Sequence, residues 1–251
     1  MFFVHASIFA ADESSKIDHS ADSSYSPEVL KIKVDLQKYY QLDWQRKADA
    51  LNLITVSNYG NQDEKIIQAA LEEDNKLLVV QAMKKIYELD LKSFSEILPP
   101  FLENGDVMVR YHALVALEKI SQSEDILSKI MKLSRDKEWM IREAAFRAVR
   151  KYQVERSEKK YFYDVLFRVN EKNPQVVIEI FRTLVWYDDE TAWPYLLKRS
   201  YHCQSAAELI EVMRELAKIK TRDVQVRLKT LTRSQSMIVR KEAIELLREY
   251  Y

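Results

Sequence analysis

The chain has 251 residues, 47% of them hydrophobic and 31% charged, with 39 basic and 39 acidic side chains and a net charge of zero. That is ample material for a core, and it excludes a protein that is basic as a whole. Two glycines in the entire chain, Gly60 and Gly105, argue against strand-rich folds and phosphate loops, which need glycine at positive-φ turns; neither GxGxxG nor GxxxxGK[ST] occurs.

The first ten residues, MFFVHASIFA, are apolar and give way to the polar, Ser-rich ADESSKIDHSADSS. This resembles the end of a truncated secretory signal peptide, cleaved near Ala10 or Ala11, although a basic n-region is missing. Residues 1–24 are accordingly read as a leader and linker, which points to an exported or periplasmic protein; a cytoplasmic chain that begins with a greasy stretch is the other reading. The single Cys203 suits either compartment. No later stretch approaches the ~20 apolar residues of a membrane-spanning helix.

Residues 25–251 are read as the folded array, opening with a capping helix over 25–42. Ser26, Pro27 and Glu28 supply an N-cap, a first-turn proline and a first-turn acid, and Val29, Ile32, Leu36 and Tyr40 continue one face. Helices are predicted over 43–57 and 63–73, separated by the turn at 57–61.

The dominant signal follows. Residues 106–120, DVMVRYHALVALEKI, place Asp106 at a helix start and Val109, Ala113, Leu117 and Ile120 on one face. With Ala113 as an anchor, the same spacing returns at Ala82, Ala145, Ile180, Val212 and Ala243, and in a degenerate copy at Ala50. From Ala82 onward the steps are 31, 32, 35, 32 and 31 residues. A second, shorter apolar-periodic segment precedes each anchored helix: 92–103, 124–134, 159–169, 191–201 and 223–232. Two helices per step make a hairpin that buries its apolar face only by stacking on its neighbours, so an elongated stack is expected.

The Asp/Asn, Val-Arg, Ala, Leu pattern over roughly residues 43–251 resembles the HEAT-repeat family and the related repeats of phycobilin lyases. The resemblance implies an all-α, right-handed α-α superhelix (a solenoid) of six or seven hairpins, in which the second helix of each pair lines the concave surface. Such arrays mostly bind other macromolecules. Three related enzymes set comparisons. Deoxyhypusine hydroxylase holds iron with His-Glu pairs, and none of His5, His19, His112 and His202 is followed by Glu. Alkylpurine DNA glycosylase uses Trp and Asp beside basic residues, which Trp186 with Asp188 and Asp189 invites. No pigment-site motif of a lyase can be matched.

The residue two past each anchor lies about 200° around the helix from it, away from the apolar face. That row reads Lys84, Val115, Arg147, Arg182, Arg214 and Glu245, with Arg150, Lys151 and Lys218 nearby and Trp186 as a stacking surface. The resemblance puts the row inside the curve, where guanidinium forks could hold an acidic peptide. A solvated, solubilising face is the plainer alternative. Residues 218–241 form a second patch: Lys218, Lys220, Arg222, Arg227, Lys229, Arg233, Arg240 and Lys241 against Asp223 alone. Aromatic residues crowd 159–201, as core filling beside Ile180 or as a pocket. The function expected is a non-catalytic scaffold for an acidic protein segment, without metal, cofactor or small-molecule ligand. A glycosylase-like enzyme on nucleic acid and a structural subunit of an assembly remain the alternatives.

Overall fold

A computed structural model describes residues 35–121, 123, 125–152, 171–188 and 190–251. The leader, the start of the capping helix, the segment 159–169 and Asp189 lie outside the described residues. The fold is all-α: twelve α-helices and no strand among the described residues. They are α1 (Leu36–Gln41), α2 (Trp44–Leu53), α3 (Asn61–Leu71), α4 (Lys76–Leu89), α5 (Val107–Ile120), α6 (Asp125–Leu133), α7 (Trp139–Val149), α8 (Pro174–Trp186), α9 (Trp193–Arg199), α10 (Ala206–Ala217), α11 (Arg222–Leu231) and α12 (Met237–Tyr250). None is long and apolar enough to cross a membrane.

Short polar side chains start these helices by taking otherwise unpaired first-turn N–H groups. Asp106 accepts from Met108 N at 2.8 Å and Val109 N at 3.2 Å, and Lys76 joins it at 3.1 Å. The Lys76 ammonium, helped by the two N–H bonds, holds its carboxyl below the usual range, although burial opposes them. Asp35, Asp43, Asn75, Asn173, Ser205 and Thr221 cap in the same way. Helix ends manage without glycine. Asp90, Asp188 and Lys220, each eight residues past an anchor, take up the left-handed backbone at φ 55°, 47° and 58°.

Two predicted helices come out differently. The segment 92–103 forms two 3₁₀ turns, Lys92–Phe94 and Pro99–Glu103, because consecutive prolines at 99 and 100 remove two amide donors that an α-helix through them would need. The helix predicted to reach Ser57 stops at Leu53, where Asn58 Nδ2 donates to Leu53 O at 2.7 Å and Asn58 Oδ1 accepts from Thr55 N at 2.7 Å. The side chain replaces the next helical turn as partner for these groups.

The seven anchors fall on α2, α4, α5, α7, α8, α10 and α12, and each of these helices packs on the next in that order. Elements of the other series lie against them: α3 on α4, the Pro99–Glu103 turn on α5, α6 on α7, α9 on α10 and α11 on α12. All seven anchors are buried, and Ala82, Ala113, Ala145, Ile180 and Val212 completely. One residue on, Leu51, Met83, Leu114, Phe146, Phe181 and Met213 are at most 2% exposed. Each such side chain contributes roughly 1.5–3 kcal/mol by leaving water. Ile54, Ile86, Leu117, Val149, Leu184 and Leu216, four past the anchors, complete the seam.

Candidate functional site

Every guanidinium in the predicted row already has carboxylate partners. Arg147 Nε lies 3.1 Å from Glu118 on α5, and its Nη1 lies 3.1 Å from Glu143 on its own helix. Arg182 reaches Glu179, Glu211 and Glu215, each at 3.3 Å. Arg214 meets Glu242 on α12 at 2.7 Å and Glu211 at 2.6 Å. Arg150 joins the buried Glu179, and Lys218 joins Glu215. For Arg147 and Arg182 burial opposes the charge, but the neighbouring glutamates outweigh it and raise both pKa values. For Arg214 the hydrogen bond to Glu242 leads in the same direction.

The geometry explains the chain spacing. A residue two past one anchor comes level with the residue just before the next anchor, so Asn52 meets Gln81, Arg182 meets Glu211, and Arg214 meets Glu242. Lys84 and His112 occupy the same relationship. His112 stacks edge-on against Tyr111 at 5.3 Å, and burial, helped by the Lys84 charge, pulls its pKa down to about 4. At Val115 the residue just before the next anchor is Ala144, and Glu245 lies 3.8 Å from Lys241. The row exists, as alternating charges that join neighbouring helices.

Lys151, named in the predicted row, turns to backbone carbonyls. Its ammonium donates to Glu118 O at 2.7 Å and Lys119 O at 2.8 Å, closing the end of α5; Lys119 does the same for Tyr87 O on α4 at 2.6 Å. Trp186 holds the corresponding place on α8 and is 68% exposed. There the carbonyl-binding task passes one residue on, to the Tyr187 hydroxyl, 2.6 Å from Val149 O and 3.0 Å from Tyr152 O. The predicted aromatic cluster therefore divides. Phe181 is core, Tyr187 closes a helix end, and Trp186, Tyr195 and Tyr201 are exposed. Its members at 161–167, and Asp189 beside Trp186, lie outside the described residues.

The second patch has another character. Arg222, Val226, Lys229 and Arg233 follow one another at helical spacing along the outer side of α11 and into the turn after it, and all four are exposed. Arg222, Lys229 and Arg233 meet no carboxylate among the described residues. Arg227, on a flank, stacks over Tyr201 with its guanidinium carbon 3.8 Å from the ring centre and donates to Ser200 O. Lys220 lies 5.9 Å from the Tyr250 ring, and Lys241 lies near Glu245.

One set of charges was only half visible in the sequence. The Arg of the Val-Arg pattern, three before the anchor, forks onto an acid nine before the next anchor. Arg110 holds Asp136 at 3.0 and 3.1 Å, and Arg142 holds Glu171 at 2.7 and 3.0 Å. Lys47 reaches Glu73 at 2.6 Å in the same way. Burial alone would raise Glu171, yet Arg142 and the Asn173 N–H hold it below the usual carboxylate range. Where the first position is Val79, Val177 or Leu209, the second is Asn104, Cys203 or Ser234, all uncharged. The pairing was recoverable by comparing repeats with each other, since cation and acid appear and vanish together.

Among the described residues no three His, Cys, Asp or Glu side chains could share a metal ion. A crevice of about 180 Å³, open to solvent, lies among Leu209, Met213, Leu228, Val239 and Ala243. Most of that space is open to solvent, and the enclosed part is far below the ~300–1,000 Å³ of ordinary ligand pockets. No protein-family model matches the chain, and no curated protein matches it.

Proposed function

We propose that the chain is a HEAT-like helical-repeat solenoid that acts as a non-catalytic scaffold and binds an acidic segment of another protein across the outer face of α11. The repeat reading is supported by seven anchors at nearly constant spacing, each on a helix that packs on the next anchored helix. The observation that carries the binding reading is a contrast in charge. Arg147, Arg182 and Arg214 are neutralised by glutamates, whereas Arg222, Lys229 and Arg233 present cationic heads that meet no carboxylate among the described residues.

An incoming carboxylate at the Arg row has to displace a glutamate already bound. At α11 it displaces only water, and an Arg fork can bind it through two hydrogen bonds. Val226, 53% exposed in the middle of the stripe, adds an apolar contact that favours a peptide over a bare polyanion. The zero net charge confines the attraction to this patch, which suits a short segment better than a long phosphate backbone.

The test is fluorescence anisotropy with a labelled Asp/Glu-rich peptide, titrated with wild type, with Arg222→Glu/Lys229→Glu/Arg233→Glu, and with Arg214→Ala. Binding that weakens with salt, is abolished in the α11 variant and survives Arg214→Ala supports the reading. Equal binding by all three proteins overturns it. Displacement of the peptide by a single- or double-stranded oligonucleotide at lower concentration moves the assignment to nucleic acid.

A further inference from the structure

The anchored helix α12 repeats α5 and α7 in one respect and departs from the other anchored helices in two. Arg240, three before Ala243, donates through Nη1 to Ser234 O at 2.6 Å and Gln235 O at 2.8 Å. Arg110 and Arg142 use the same nitrogen on the two equivalent carbonyls of their own loops, at 2.8–3.1 Å. The guanidinium plane of Arg240 is thus set as in the internal repeats. Its Nε and Nη2, the edge that holds Asp136 and Glu171 in those repeats, meet no carboxylate among the described residues. Secondly, Ile244, one past the anchor, is 39% exposed, whereas its six counterparts are all but completely buried beneath the following helix. Arg240 and Ile244 are four residues apart and so share a face of α12.

We infer that this face of α12 is a docking site for a partner protein that presents an Asp or Glu just ahead of an amphipathic helix. The internal pairs define that occupant. In all three of them the acid stands two residues before the helix N-cap: Glu73 before Asn75, Asp136 before Glu138, Glu171 before Asn173. Asp136 and Glu171 each also accept from the backbone N–H of that N-cap, at 2.9 and 2.8 Å, so the carboxylate is oriented before it meets the fork. The helix that follows then covers the residue one past the anchor, which here is Ile244. A second copy of this chain supplies a poorer occupant, because the residue nine before its first anchor is Gln41, which carries no charge. The inference does not depend on the α11 stripe and stands or falls separately from it.

The probe is a labelled peptide copying residues 171–188 of this chain, stapled to hold its helix, since that segment fills the corresponding seat on α7. Titrated with the 251-residue chain, it is expected to saturate, and the Glu171→Gln peptide to bind about tenfold more weakly. Arg240→Gln should weaken the parent peptide by a similar factor and make the two peptides equivalent. Ile244→Glu should also weaken binding with thermal unfolding unchanged, which separates docking from damage to the fold. Parent and Gln peptides binding alike, or no saturation in the millimolar range, overturns the inference. Self-association in sedimentation that Arg240→Gln abolishes also overturns it, because the occupant is then a second copy.

Discussion

Arg110 and Asp136, 26 residues apart in the chain, meet through two hydrogen bonds of 3.0 and 3.1 Å while Arg110 Nη1 binds the Asn104 and Gly105 carbonyls. One side chain therefore joins its own loop to the loop of the next repeat. Both partners are largely shielded from water. Asp136→Ala leaves a buried guanidinium without a counter-charge and is expected to cost about 3–5 kcal/mol. Replacing both with apolar residues of similar volume should cost far less, because both desolvation penalties vanish together. Urea unfolding of the two variants compares them, and equal losses would show that the pair is not coupled.

The charges of the Arg row should differ sharply in their contribution to stability. Glu179 is buried and shared by Arg150 and Arg182, so Glu179→Ala is expected to cost about 3–5 kcal/mol. Arg214 lies in the open at the other end of the row, and Arg214→Ala should cost about 0.2–1 kcal/mol. Added salt should narrow the second difference and leave most of the first, since buried pairs are poorly screened.

Acid should destabilise the fold in two stages. His112 has a folded pKa of about 4, below its unfolded value, so between roughly pH 6.5 and 4 the unfolded chain takes up a proton that the folded chain refuses. Stability falls through that window by at most about 1.4 kcal/mol per pH unit. Asp106 and Glu171 have lowered pKa values; their contribution is present above the unfolded carboxylate value and is lost as pH falls below it. His112→Gln should flatten the upper stage and leave the lower one, as read from denaturant midpoints against pH.

Lys220 is the one long side chain among the three described left-handed residues, the others being Asp90 and Asp188. Aspartate tolerates that backbone better than lysine does. Lys220→Gly should relieve the strain and raise stability by about 1 kcal/mol, a gain of about 2–4 °C in Tm. No change on heating would mean that the contact with the Tyr250 ring offsets the strain.

Local chemistry was enough to determine that the described fold is helical and where most of its helices start. Anchor spacing, Asp and Asn at helix starts, and the shortage of glycine are properties of short windows, and they led to twelve described helices and no described strand. Local signals also sufficed for the side chain that fills each seam, because burial of Leu117, Val149 or Leu184 follows from helical period alone. They could not say which charges were already taken. Arg182 and Arg222 look alike in the sequence, two exposed-face cations on helices. Only packing α8 beside α10 brings Glu211 and Glu215 to within 3.3 Å of the first, while no described helix brings an acid to the second. Charge pairing acts over a few ångströms between residues about 30 apart in the chain, so it is decided by which helices become neighbours.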